Sequence, residues 1–104
     1  MRRQTSPQLA KVPGIQNLTL TASNTEYSID LPLGTVYAEL HARTSVDVRV
    51  AFEEGKVASP TAPFWTLKAD DFLTVRNAKL ISNRTIYLAS SNAGVVVELL
   101  TWSI

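Results

Sequence analysis

His41 is the only histidine in a chain without cysteine, and these two counts limit its chemistry more than any motif does. A lone imidazole leaves a zinc site to be completed by carboxylates, and it gives a Ser-His-Asp triad one possible base. Glu39 and Arg43 flank His41 at a spacing of two. In a strand that spacing puts all three on one face, with charges side by side and none aimed at a common atom. The expected role is a surface histidine in a polar stripe, because catalytic and metal-bound histidines come with a second ligand or an orienting group. The acidic pairs Glu53-Glu54 and Asp70-Asp71 are consecutive residues. The carboxyls of a glycosidase must face one another across about 5 to 9.5 Å, and calcium takes oxygen ligands spaced along a dedicated loop. Both pairs therefore read as solvated turn charges. Gly14, Gly34, Gly55 and Gly94 stand apart, so no glycine-rich phosphate cradle exists. The absence of cysteine removes disulfides, thiolate metal sites and thiol catalysis, and fits a reducing compartment. The sequence predicts no catalytic residue, no cofactor, no metal and no enzyme.

The surface features with more promise are aromatic. Phe64-Trp65 follows the loop Ser59-Pro60-Thr61-Ala62-Pro63, and of two consecutive strand residues one points out if the other points in. Such a pair can stack on a sugar, but an aromatic at a strand start more often completes a core or an interface. Trp102 carries the same ambiguity, and its place late in the chain favours packing against a neighbour or against the N-terminal arm. Charge adds little globally: ten Lys and Arg against nine Asp and Glu give a net +1. No overall field attracts nucleic acid or an anionic membrane. Locally, Arg2, Arg3 and Lys11 meet no acidic residue until Glu26.

The elements that must position these residues follow from period-two alternation, broken by turn residues every eight to twelve positions, as in an all-β sandwich or barrel. Residues 1–14, punctuated by Pro7, Pro13 and Gly14, read as an extended N-terminal arm that lies across a neighbouring subunit or stays unordered. Residues 15–104 form a single β-sandwich domain. Leu18, Leu20 and Ala22 alternate with polar residues; Tyr27, Ile29 and Leu31 follow, and Pro32-Leu33-Gly34 reverses the chain. Val36 to Arg43 and Val46 to Glu53 are the clearest strands. Joined by Thr44-Ser45, they predict a hairpin that opposes Glu39 and Arg43 to Asp47 and Arg49. Shorter strands at 64–69 and 72–75 are followed by one at 85–89, then by Ser90 to Gly94 as a hairpin loop. In the closing run, Val95, Val97 and Leu99 lie on one face and Val96, Leu100, Trp102 and Ile104 on the other. Both faces are expected to be covered, with the strand central in its sheet or at a subunit interface. About eight strands of unequal length predict an antiparallel, jelly-roll-like two-sheet sandwich, with an immunoglobulin-like sandwich as competitor. No run approaches the roughly 20 apolar residues of a spanning helix, and Met1 to Gln8 leads into no apolar stretch, so a soluble protein made in the cytosol is expected.

The segment Phe64-Trp-Thr-Leu-Lys-Ala-Asp-Asp-Phe-Leu-Thr-Val75, followed by Thr85-Ile-Tyr-Leu-Ala-Ser-Ser-Asn-Ala-Gly-Val-Val-Val-Glu-Leu-Leu-Thr-Trp102, resembles small structural proteins of tailed bacteriophages. The resemblance is one of pattern and covers about the last 40 residues. It implies a virion β-sandwich protein of the capsid decoration or cement type, a homotrimer that contacts the major capsid protein on the capsid surface after synthesis in the host cytoplasm. No functional residues are shared across such families. The partner-contact candidates Arg2, Arg3, Lys11, Phe64, Trp65 and Trp102 rest on their own chemistry, with no nucleic acid, membrane or small-molecule substrate expected. The alternatives are another virion component, such as a head-tail adaptor, tail or fibre-base protein, or a carbohydrate-binding module that uses Phe64 or Trp65.

Overall fold

The computed structural model describes residues 12–76 and 84–103. The alternating residues fall into eight strands: β1 (Val12–Leu20), β2 (Tyr27–Leu31), β3 (Thr35–Ala42), β4 (Val48–Ala51), β5 (Trp65–Leu67), β6 (Leu73–Arg76), β7 (Arg84–Ala89) and β8 (Val95–Ser103). Every pairing is antiparallel, and four follow one rule: β1 with β8, β2 with β7, β3 with β6, and β4 with β5. These four pairs are one long ribbon doubled back between β4 and β5. Wrapping the ribbon on itself adds β3 with β8 and β4 with β7, and divides the strands into sheets ordered β1-β8-β3-β6 and β2-β7-β4-β5. This is the jelly-roll arrangement. The chain is thus the all-β, two-sheet antiparallel sandwich its alternation predicts.

The core lies between the sheets. Leu20, Ala38, Leu40, Val95, Val97 and Leu99 of the first sheet meet Ile29, Leu31, Val48, Val50, Leu67, Ile86 and Leu88 of the second, all buried. Each aliphatic side chain buried in this way contributes about 1.5–3 kcal/mol. Gly14 faces Thr101 across the β1–β8 pair. A Cβ there would stand 3.0 Å from Thr101 Oγ1, so the glycine leaves room for the buried threonine. Gly94 supplies the positive φ of 76° at which the chain turns into β8, and its amide donates to Leu20 O at 2.8 Å. Among the described residues no helix is long and apolar enough to cross a membrane.

Several expectations need correction. β3 and β4 are not a hairpin: the chain leaves one sheet after Ala42 and enters the other at Val48. Alternation alone cannot separate a hairpin from a crossing between sheets, because both strands present an apolar face to the same core. The segment Ser90 to Gly94 likewise crosses from β7 to β8 in the opposite sheet. β1 begins at Val12, so Val12, Pro13 and Gly14 belong to the sheet and not to the arm. β8 does occupy a central position, between β1 and β3, yet among the described residues nothing covers its second face. There Val96 and Leu100 are half-buried by their neighbours and Trp102 is exposed. The strand expected over Val46 to Glu53 ends at Ala51, so Phe52 leaves the sheet and is 50% exposed.

The loop between β4 and β5 explains the second, smaller core. Residues 52–64 fold back over the outer face of the second sheet, where Val57 is fully buried beside Ala51 and Ala89, with Phe64 and Tyr87 packed around them. Arg49 points to this outer face and fastens the loop. Its Nε donates to Val57 O at 2.7 Å, and its Nη2 to Asn24 Oδ1 at 2.9 Å and Ala58 O at 3.3 Å.

Candidate functional site

The outer face of the first sheet is built by register. Pairing places Pro13, Trp102, Tyr37 and Arg76 in one row, Ile15, Leu100, Glu39 and Thr74 in the next, and Asn17, Glu98 and His41 in a third. Ile15 is 73% exposed and Trp102 36%, and Phe72, beside the third row, is 59% exposed. Large apolar side chains on a solvated sheet face are unusual when they form a continuous patch. A shallow depression of about 270 Å³ lies among Ile15, Glu39, His41, Glu98 and Leu100.

Several polar groups of this face are paired with one another. His41 Nε2 lies 2.8 Å from Glu98 Oε1, and Arg43 Nε donates to Glu98 Oε2 at 2.8 Å. The sequence places His41 and Arg43 side by side with no shared target; the structure gives them one, the Glu98 carboxylate of the neighbouring strand. The hydrogen bond from Arg43, followed by that from His41, holds the Glu98 carboxyl below its ordinary range against partial desolvation. The His41 ring is tilted against Phe72, with centroids 5.4 Å apart. Tyr37 Oη donates to Glu39 Oε1 at 3.1 Å, and the Arg76 guanidinium sits 5.9 Å from the Tyr37 ring centroid. With both Glu98 oxygens engaged, the carboxylate fixes the orientation of His41 and Arg43.

The second surface is a hollow on the open side of the sandwich, between the edge strands β5 and β6. Val50, Ala51, Phe52, Glu53, Pro63, Phe64, Trp65 and Leu73 enclose about 370 Å³. Trp65 opposes Val50 across β4–β5, but at the sheet edge its indole is 63% exposed. Phe64 turns the other way and packs beneath the 52–64 loop. Below the hollow, Asp47 pins the β5–β6 connection: its carboxylate accepts from Ala69 N at 2.8 Å and Lys68 Nζ at 3.2 Å. These bonds, the Ala69 amide first, hold its carboxyl below the ordinary value. Among the described residues Glu53 is the one ionisable side chain in the lining. A sugar ring presents hydroxyls around its edge and needs several polar partners, whereas this lining suits an apolar side chain with a cation beside it.

Of the residues singled out by sequence, Trp102 and Trp65 occupy two separate surfaces, and Phe64 belongs to the satellite core. Arg2, Arg3 and Lys11 lie outside the described residues. The acidic pairs are turn residues: Glu53 rims the hollow, and Asp70 Oδ1 accepts from Ser45 Oγ. Among the described residues no three His, Cys, Asp or Glu side chains converge as metal ligands. Sequence reasoning missed Ile15 beside Leu100 and Trp102 as one patch, because only pairing aligns residues so far apart in the chain. Phe52 did carry a signal, being an aromatic immediately before the Glu53-Glu54-Gly55 turn. Compared with known proteins, the chain matches no family model, no curated protein and no solved structure.

Proposed function

We propose that the protein is a non-enzymatic structural component of a tailed-phage virion, a capsid decoration or cement protein that docks on the major capsid protein as a homotrimer. The observation that carries the reading is the outer face of β1-β8-β3-β6, where Ile15, Leu100 and Trp102 lie in adjacent positions as an apolar patch flanked by Glu39 and Glu98, with Phe72 exposed beyond His41. The patch lies on a rigid sheet whose central strand is fixed on both sides. Such a platform loses little conformational freedom on docking, so buried apolar area turns into attachment with a small ordering cost. Several copies held together multiply that attachment without new kinds of contact. The jelly-roll sandwich and the resemblance of residues 64–75 and 85–102 to phage structural proteins support the same reading.

The test is particle composition. Virions purified from the phage whose genome encodes the chain should contain it at a copy number of hundreds per particle, and negative-stain images should show knobs that vanish when the gene is deleted. A chain absent from purified particles would remove the virion reading. A few copies at the neck or tail would instead place it among head-tail or tail components.

A further inference from the structure

Residues 1–11 carry Arg2, Arg3 and Lys11 and no acidic residue, while the rest of the chain has seven Lys and Arg against nine Asp and Glu. Segment and body are of opposite charge. The hollow between β5 and β6 is an apolar opening on that body: Trp65 and Phe52 stand half-exposed or more at its mouth, Leu73 and Val50 form its floor, and among the described residues Glu53 is its sole charge. It calls for an apolar side chain with a cation close by on the same face. Leu9 and Lys11 have that chemistry at that spacing, since alternate residues of an extended segment share a face. Among the described residues β5 is bonded to β4 on one side only, so its outer edge offers backbone groups to an added strand.

Leu9 and Lys11 cannot reach the hollow of their own chain. Val12 begins β1, which is separated from β6 by β8 and β3, so the hollow is at least three strand spacings away, about 14 Å at some 4.8 Å each. Lys11 is one Cα step of about 3.8 Å from Val12, and Leu9 at most about 11 Å. We propose that residues 9–11 of one copy dock in the hollow between β5 and β6 of a second copy, Leu9 entering beside Trp65 and Lys11 pairing with Glu53. The contact joins two different surfaces, so it is head-to-tail, and it closes into a ring when the rotation per copy allows. The proposal rests on the reading that copies self-assemble, and it assigns the joint between them to the hollow, leaving the outer sheet face free for the shell.

Two variants test it by complementation. Leu9→Asp with Lys11→Glu spoils the segment and keeps the hollow; Trp65→Ala with Glu53→Lys spoils the hollow and keeps the segment. In sedimentation velocity the wild-type chain should run as a closed oligomer and each variant alone as a folded monomer by circular dichroism. Mixed in equal amounts, the two should form a heterodimer and stop there, because only one joint is intact. A wild-type monomer, either variant keeping the wild-type mass, or a mixture that stays monomeric overturns the proposal. Should the hollow variant fail to fold, Glu53→Lys alone, at an exposed position, takes its place, and combining it with Lys11→Glu in one chain should restore the oligomer. Shell attachment is read separately through Trp102, so its failure leaves this joint standing and the reverse.

Discussion

Arg49→Met should show how much of the molecule depends on one guanidinium. The substitution keeps an apolar stem of similar length and removes every donor that Arg49 offers to the 52–64 loop and to Asn24 in the turn before β2. Two of the three hydrogen bonds are of full quality, to Val57 O at 2.7 Å and Asn24 Oδ1 at 2.9 Å, and the third, to Ala58 O, is long at 3.3 Å. Hydrogen bonds to a charged group contribute about 1.5–3 kcal/mol each. Because Arg49 is only half-buried, the lower figure applies, and two such bonds sum to about 3 kcal/mol. For a domain of about 100 residues each kcal/mol moves the melting temperature by roughly 4–8 °C, so a fall of about 12–24 °C is expected. Thermal melts followed by circular dichroism measure it, and limited proteolysis should locate new cleavage within residues 52–64. Arg49→Lys, with one donor group in place of a fork, should recover about half of the loss. A fall of less than about 3 °C for Arg49→Met, corresponding to under about 0.5 kcal/mol, would refute the claim that Arg49 fastens the loop.

Leu99→Ala removes a 1%-exposed side chain from the central strand of the first sheet, and urea titration should show a loss of about 2–5 kcal/mol with an unchanged slope. The carboxyls of Glu98 and Asp47 are held low in the folded state. Their stabilisation is therefore complete above the ordinary carboxylate range and is lost as pH falls through the lowered values, below about pH 4. Melting temperatures between pH 6 and pH 2 should fall on the acid side, and the fall should be shallower in Glu98→Gln; an identical acid limb in the variant contradicts the Arg43 and His41 pairing.

The legible part of this fold was whatever period two encodes. Tyr27, Ile29 and Leu31 announced their strand and its inward face because Ser28 and Asp30 between them are polar. Alternation is silent about the partner of a strand. The turn after Ala42 carries no mark of a change of sheet, which is why β3 and β4 looked like a hairpin and Glu98 went unrecognised as the carboxylate that gathers His41 and Arg43. The closing strand was also overread. Val96, Leu100 and Trp102 are apolar, but apolar side chains on an outer face do not require a cover within the chain; they require a reason, and a docking surface supplies one. The hollow was half visible: Trp65 stood out, whereas Leu73 and Val50 approach it only once the two sheets stack.

The central proposal is that the apolar patch around Trp102 on the outer face of β1-β8-β3-β6 attaches the protein to a shell, and that the Trp102 side chain plays no part in holding the fold together. Trp102 tests it, because the indole is 36% exposed and lies on that face opposite Tyr37 and Pro13. Wild-type protein and Trp102→Asp, mixed with shells stripped of the chain and pelleted, give the most direct measurement. The wild type should co-sediment and saturate, while Trp102→Asp should stay in the supernatant with native circular dichroism and unchanged self-association. A Trp102→Asp protein that pellets with wild-type affinity, or one that is unfolded in solution, contradicts the account.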